Sequence, residues 1–362
     1  MIVFQRLATL ALTAVLVGCT SLPQAPQQVA SAPGPKAMVA AANPLAVEAG
    51  LDVLRRGGSA VDAAVAVQAV LGLVEPQSSG LGGGAFLVHY DAESKRTTAY
   101  NGRETAPAAA GPDYLLDEAG KRLPMRDAIL SGRSTGAPGA VAMLALAQSQ
   151  HGRLAWKDLF GEAERLADQG FVVSTRLAGM IASSAPQAQA PDAKAYFTKP
   201  DGKPYAAGDL LRNPAYAATV RKIAAEGPKA ILEGELAEAI VAKLAQGPRP
   251  GLMTLADLKA YRPDSGPALC KPYRVYVVCT PPAPSGGPAL LQGLGILERT
   301  DIADHGPTDP QGWYLFSQAS RLMYADRDRY MGDPDFVAVP TEGLLEPAYL
   351  EARAKLIGPI AG

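Results

Sequence analysis

The thirty residues from Ser78 to Pro107 constrain the fold more than any other part of the chain. They open with four closely spaced glycines, and glycine permits a tight crossing of the backbone beneath other elements. Two short runs follow, AFLVHYD and RTTAYN, which are rich in β-branched and aromatic residues and flank the turn AESK. This pattern predicts a β-hairpin. Arg103 comes directly after the second run, so the end of a strand would present its guanidinium in a loop.

Arg103 is the candidate binding residue that this placement suggests. A planar guanidinium can hold both oxygens of a carboxylate at once, and a rigid mount favours that role. A surface ion pair is the alternative, because Glu104 follows directly and many loop arginines pair with nearby acids. The hairpin alone leaves both interpretations open.

No cofactor and no metal is expected. The glycine run from Gly80 to Ala85 formally fits the dinucleotide pattern GxGxxA, but that pattern needs a strand before it and a helix after it. Here a helix precedes the glycines and a strand follows them. Three cysteines and three histidines leave no credible zinc site.

The length of 362 residues is enough for one large core or two domains. The 34 basic and 35 acidic side chains nearly cancel, so the composition does not indicate a nucleic-acid partner.

The amino end has the pattern of a targeting segment, with Arg6 before an apolar run and the tetrad LVGC ending at Cys19. The tetrad matches the bacterial lipobox, so residues 1–18 are predicted to be a lipoprotein signal peptide and Cys19 the lipidated residue. An ordinary secretory signal is the alternative. No aspartate follows Cys19, which favours the outer membrane on its periplasmic side. Residues 19–36 are rich in Pro, Gln and Ala and predict a tether before a domain at 37–362.

Cys270 and Cys279 lie in the segment LCKPYRVYVVC, on either side of a predicted turn around Pro272–Arg274. Export would place them in an oxidising compartment, so a disulfide is predicted. Two inert buried thiols are the alternative.

Helix signals are clear near the start of the predicted domain. The segment AMVAAANPLAVEAGLDVLRRGG predicts a short strand and then a helix, with Asn43 as the cap and Pro44 at the first helical position. Ser59 and Asp62 predict a capping box at the start of a second, largely apolar helix. Further on, the segment WKDLFGEAERLADQGF predicts one amphipathic helix that stops at Gly170.

No complete catalytic set is found in the sequence. It contains no SxxK, HExxH or Walker motif, and no nucleophile is assigned. His89, His151 and His305 are interpreted as structural or surface residues. The acid pairs Asp326/Asp328 and Asp333/Asp335 are interpreted as partners of Arg327 and Arg329 in salt links.

Several segments together resemble the large-subunit half of the gamma-glutamyltranspeptidases, also called glutathione hydrolases. The resemblance runs from about Lys36 to the end of the chain, in family order, through AVEAGLDVLRRGGSAVDAAVAVQAVLGLVEPQSSGLGGGAFLV, RETAP, STGAPGAVAML, PPAPSGG and YADRDRYMGDPDF. It implies an α/β fold, the four-layer αββα sandwich of N-terminal-nucleophile hydrolases, incomplete on this chain. It also implies that a threonine of a small subunit attacks the γ-amide of glutathione, with its own α-amine as the base.

The resemblance assigns one residue on this chain. Arg103 matches the arginine that holds the α-carboxylate of the glutamyl group, whereas the nucleophile threonine matches nothing here. The pair Thr97-Thr98 is followed by Ala99 and does not fit the family's Thr-Thr-His segment. The implied partners are the small subunit, glutathione or other γ-glutamyl compounds, and water or acceptor amino acids, in addition to the membrane. A non-catalytic remnant of the scaffold and a related acylase are the alternatives.

Overall fold

A computed structural model describes residues 37–247 and 249–359. The predicted signal peptide, the tether and Cys19 lie outside these residues and stay predictions. Residues from Val39 onward form one unit. None of the described helices combines the length and the apolar character that crossing a bilayer requires.

The strands of the described residues are short, and the helices contain many more residues than the strands do. The strands are β1 (Ala85–Asp91), β2 (Arg96–Gly102), β3 (Phe171–Val172), β4 (Leu210–Leu211), β5 (Asp264–Pro267), β6 (Leu269–Tyr273) and β7 (Tyr276–Thr280). The helices are α1 (Pro44–Arg55), α2 (Ala60–Val74), α3 (Met125–Ile129), α4 (Ala140–His151), α5 (Gly161–Gln169), α6 (Thr175–Ile181), α7 (Pro191–Tyr196), α8 (Pro214–Glu226), α9 (Lys229–Leu232), α10 (Gly234–Leu244), α11 (Leu255–Ala260), α12 (Gly287–Leu297), α13 (Pro310–Tyr330), α14 (Thr341–Leu344) and α15 (Pro347–Ala354).

The predicted hairpin is confirmed. Strands β1 and β2 pair antiparallel, from Ala85 opposite Gly102 to Asp91 opposite Arg96. Strand β5 pairs antiparallel with the other edge of β2, so β2 is the central strand of a three-stranded sheet. Because β2 is hydrogen-bonded to a neighbouring strand on each side, the position of its end is well fixed. Arg103 is the residue that directly follows this end.

The helix caps are also confirmed. The Asn43 side chain accepts a hydrogen bond from the Leu45 N–H at 3.0 Å, and its Nδ2 donates to Glu75 at 2.8 Å. Ser59 and Asp62 form the predicted capping box at the start of α2. Ten residues of α2 are buried, and the helix packs against α1, α4 and α5 in the largest hydrophobic cluster of the described residues.

One predicted element is wrong, and a second is confirmed only in part. Residues 37–41 form no strand. The Val39 side chain packs close to Gly50 of α1. The apolar side chain of this segment therefore contacts a helix and not a sheet. The predicted helix over WKDLFGEAERLADQGF is split into a 3-10 turn at Trp156–Leu159 and α5, which ends before Gly170 at a φ of 102°. Left-handed backbone of this kind favours glycine and terminates helices.

The second hairpin, β6–β7, places Cys270 directly opposite Cys279, and a disulfide joins the two residues. The chain turns at Arg274, where φ is 52°. Beyond this hairpin, α12, α13 and α15 pack around a smaller apolar cluster that includes Ile296, Leu315 and Leu350.

Candidate active site

Arg103 leaves the end of β2 with its backbone fixed on both sides. Its N–H donates to Asn101 Oδ1 at 3.0 Å, and its carbonyl accepts a hydrogen bond from the Tyr261 hydroxyl at 2.9 Å. The residue itself is exposed. The main chain is therefore held in place while the long side chain remains in reach of a ligand.

Glu104 does not pair with Arg103. Its Oε1 accepts a hydrogen bond from the Gly84 N–H at 2.6 Å, which ties the glycine run to the end of β2. Across residues 37–247 and 249–359, the Arg103 guanidinium makes no ion pair and no hydrogen bond. The alternative of a surface ion pair with Glu104 is thus not what the structure contains.

Tyr261 is the long-range support of this site. Its side chain is buried, and burial together with the negative charge of Glu104 raises the pKa of Tyr261 to about 12. The hydroxyl therefore stays protonated at neutral pH and can donate to the Arg103 carbonyl. Gly139 lies directly against this hydroxyl, where a Cβ atom would collide with it and with the Gly102 carbonyl.

Three adjoining cavities share Arg103 in their lining. Their volumes are about 540, 500 and 580 Å³, within the usual range of roughly 300–1,000 Å³ for small-molecule sites. The first also contains Arg122 and Arg327, and the second contains Tyr261 and Asp333. A separate cavity of about 390 Å³ near α6 and α7 has no titratable side chain in its lining, so we do not assign chemistry to it.

The carboxyl end of α13 forms one wall of the 540 Å³ cavity. Asp326 at this end is buried and accepts hydrogen bonds from Gln292 at 2.6 Å and Arg353 at 2.8 Å, which ties α13 to α12 and α15. The predicted partners of Asp326 are therefore wrong. Its neighbour Asp328 does pair with Arg327, at 2.9 Å.

The three histidines lie away from Arg103. His89 stacks on His151 with ring centroids 3.9 Å apart, and His151 Nε2 lies 2.7 Å from the Tyr100 hydroxyl. His305 Nδ1 lies 2.7 Å from Asp309, the cap of α13, and this contact raises the pKa of His305. None of the three lines the cavities at Arg103, which agrees with structural roles.

The described residues contain no set of three or more His, Cys, Asp and Glu side chains arranged to hold a metal ion. Thr97 and Thr98 lie within β2 and do not line the cavities at Arg103. Within this part of the chain the site therefore consists of the Arg103 guanidinium and the groups that hold its backbone.

Sequence reasoning missed Tyr261 and Arg122. Tyr261 lies 158 residues from Arg103, and no local pattern connects the two. Arg122 follows a turn with no motif around it, and only the fold brings it to the cavity of Arg103.

Comparisons with known proteins agree with this fold. The chain has a TM-score of 0.83 and 31% identity to the solved Helicobacter pylori gamma-glutamyltranspeptidase, covering 90% of this chain and 93% of that one. It has a TM-score of 0.82 and 30% identity to the Pseudomonas nitroreducens enzyme complexed with L-DON, covering 90% and 96%. These structures are N-terminal-nucleophile hydrolases, so the expected fold class is confirmed.

The family assignment follows from the sequence as well. The family model described as gamma-glutamyltranspeptidase matches residues 46–361. The chain is 38% identical over 325 residues to the glutathione hydrolase proenzyme of Bacillus subtilis (strain 168), covering 90% of this chain and 55% of that protein. It belongs to the gamma-glutamyltranspeptidase family, and it spans about half the length of the curated relatives it matches.

Proposed function

We propose that this chain is the large-subunit part of a gamma-glutamyltransferase, or glutathione hydrolase, and that Arg103 binds the α-carboxylate of the glutamyl group. One observation carries the proposal. The Arg103 guanidinium is unpaired among the described residues, its backbone is fixed by Asn101 and Tyr261, and three cavities meet at it.

In this proposal the chain positions the substrate and a different segment reacts with it. A threonine from the part of the relatives that this chain does not span attacks the γ-amide carbonyl, and its own α-amine takes the hydroxyl proton. The amine of the substrate then leaves, and water or an acceptor amino acid resolves the acyl-enzyme. Arg103 contributes by holding the glutamyl group in one orientation, which lowers the entropic part of the barrier.

Reconstitution tests this function. The chain alone is expected to leave a γ-glutamyl anilide intact, and co-expression with the small-subunit segment is expected to give a complex that releases the aniline. The control is the same complex with the nucleophile threonine of the supplied segment replaced by alanine. A stable, correctly folded complex that hydrolyses no γ-glutamyl anilide would contradict the proposal and favour a non-catalytic scaffold.

We also propose that Cys19 is lipidated and holds the domain at the periplasmic side of the outer membrane. The support is the LVGC tetrad and the Pro/Gln/Ala-rich tether after it. Cells fed a labelled fatty acid should incorporate it into the wild-type chain and not into a Cys19→Ser variant. Equal labelling of both chains would contradict the proposed lipidation of Cys19.

A further inference from the structure

The short helix α11 is hydrogen-bonded at two points to the segment that follows β2. At the carboxyl end of α11, the Tyr261 hydroxyl donates to the Arg103 carbonyl at 2.9 Å. In the first turn of α11, Asp257 Oδ1 accepts a hydrogen bond from the Ala108 N–H at 3.0 Å. Both ends of the segment from Arg103 to Ala108 are therefore bonded to one helix that lies 149 to 158 residues further along the chain.

The helix α11 is itself firmly held. Leu258 and Tyr261 are buried in a hydrophobic cluster that is separate from the one around α2. Thr254 and Asp257 form a capping box at the start of the helix. A shift of α11 would expose buried apolar side chains to water, which is unfavourable. The helix is therefore a stable support for the residues that are bonded to it.

The direction of the Arg103 side chain depends on its backbone. Among residues 37–247 and 249–359, its guanidinium has no ion-pair partner and no hydrogen-bond acceptor that would orient it. Asn101 accepts the hydrogen bond of the Arg103 N–H, and Tyr261 donates to the Arg103 carbonyl. Because each peptide unit is planar, these two bonds fix the planes on both sides of the Cα atom and thus the direction of the Cβ atom. A small rotation at this point would move the distant guanidinium much further, and misplacement by about 1 Å can be costly for a reaction.

We propose that Tyr261 is a positioning residue whose hydroxyl holds Arg103 in the orientation that binds the α-carboxylate, and that it thereby contributes to selectivity for γ-glutamyl compounds. This inference rests on the proposed function, in which Arg103 takes that carboxylate. Tyr261 acts through the backbone of Arg103, so its effect is confined to substrates that carry an α-carboxylate. A substrate without this group gains nothing from the orientation of Arg103 and should not respond to loss of the hydroxyl.

The test compares γ-glutamyl anilide with 4-aminobutyryl anilide, which lacks the α-carboxylate, in the reconstituted complex. The measured quantity is the ratio of the two kcat/KM values, with the γ-glutamyl substrate in the numerator. Tyr261→Phe keeps the ring and removes only the hydroxyl, and it is expected to lower this ratio by roughly three- to tenfold, the effect of losing one neutral hydrogen bond. Its kcat/KM for 4-aminobutyryl anilide should stay within about twofold of the wild type, which also shows that the variant is folded.

Tyr216→Phe is the matched control. The Tyr216 hydroxyl also donates to a backbone carbonyl, that of Ala69 at 2.7 Å, and Tyr216 does not line the cavities at Arg103. This variant loses the same kind of hydrogen bond and should keep the wild-type ratio. A second measurement places Tyr261→Phe in an Arg103→Ala complex, where the hydroxyl should no longer affect the ratio because it acts only through Arg103.

Each outcome decides the matter. An unchanged ratio in Tyr261→Phe overturns the inference and leaves the proposed function intact. An equal loss of activity on both substrates also overturns it, because Tyr261 would then support the fold alone. The same holds if Tyr216→Phe lowers the ratio as much, or if Tyr261→Phe lowers it fully in the Arg103→Ala complex. A wild-type complex that leaves γ-glutamyl anilide intact overturns the proposed function and this inference with it.

Discussion

Replacing Arg103 with alanine is expected to remove about 2–5 kcal/mol of transition-state binding in the reconstituted enzyme, the cost of truncating one partner of a desolvated charge pair. The corresponding loss in kcat/KM for a γ-glutamyl anilide is roughly thirty-fold to several thousand-fold. The loss arises because the α-carboxylate of the substrate would be bound without its counter-charge. Steady-state kinetics of the purified complex measures this directly.

The matched control is Arg96→Ala. Arg96 lies at the opposite end of β2, is exposed, and does not line the cavities at Arg103. This variant removes the same charge at the other end of β2 and should retain kcat/KM within about twofold, as expected for a surface position. An Arg103→Ala enzyme that behaves like Arg96→Ala would show that the guanidinium does not bind substrate.

Replacing Asp62 with alanine is expected to produce the largest loss of stability. Asp62 is fully buried and accepts hydrogen bonds from the N–H groups of Ser59 at 2.8 Å, Arg153 at 2.8 Å and Leu154 at 3.2 Å, and from Gln148 Nε2 at 3.2 Å. The variant loses a helix cap and leaves partly buried donors unpaired. Together these effects should lower the free energy of unfolding by about 3–5 kcal/mol. Denaturant unfolding of the complex measures it.

The pH dependence of this effect has a definite sign. Burial of Asp62 favours its neutral form, but its hydrogen bonds outweigh burial and hold its pKa below the ordinary 3.8. A carboxylate with a lowered folded pKa stabilises the protein above its unfolded pKa, and this stabilisation is lost as the pH falls through the folded pKa. The stability gap between wild type and Asp62→Ala should therefore shrink once the pH drops below 3.8.

Asp52→Ala is the control for Asp62. Asp52 pairs with Arg56 at 2.9 Å on the surface of α1, with 59% of its side chain exposed. Surface pairs of this kind contribute about 0–1 kcal/mol, so the variant should unfold almost like the wild type. If Asp62→Ala also costs less than about 1 kcal/mol, the buried hydrogen bonds of Asp62 do not stabilise the fold as described.

Features set by neighbouring residues could be predicted from the sequence. The Asn43 cap, the Ser59–Asp62 capping box and the β1–β2 hairpin depend on residues only a few positions apart. Their geometry follows from local backbone chemistry, which is the same in any fold. The position of Arg103 at the strand end belongs to this group.

Features set by distant residues could not be predicted in this way. Tyr261 supports Arg103 across 158 residues, and Arg353 pairs with Asp326 across 27. Arg327 and Arg329 are nearer to Asp326 in the sequence and were therefore predicted as its partners. In the fold, the Asp326 side chain is buried and pairs with Arg353 of α15. The failed strand at residues 37–41 has the same origin, since a strand needs a neighbouring strand that the sequence alone does not supply.

The contact between Arg103 and a substrate carboxylate is tested most directly by removing both partners in turn. The measurement is kcat/KM for γ-glutamyl anilide and for 4-aminobutyryl anilide, which lacks the α-carboxylate, in wild-type and Arg103→Ala complexes. If Arg103 holds the carboxylate, a substrate without the α-carboxylate should lower kcat/KM far more in the wild type than in Arg103→Ala. The coupling energy between the two changes should be about 2 kcal/mol or more. Equal costs in both enzymes would contradict the contact.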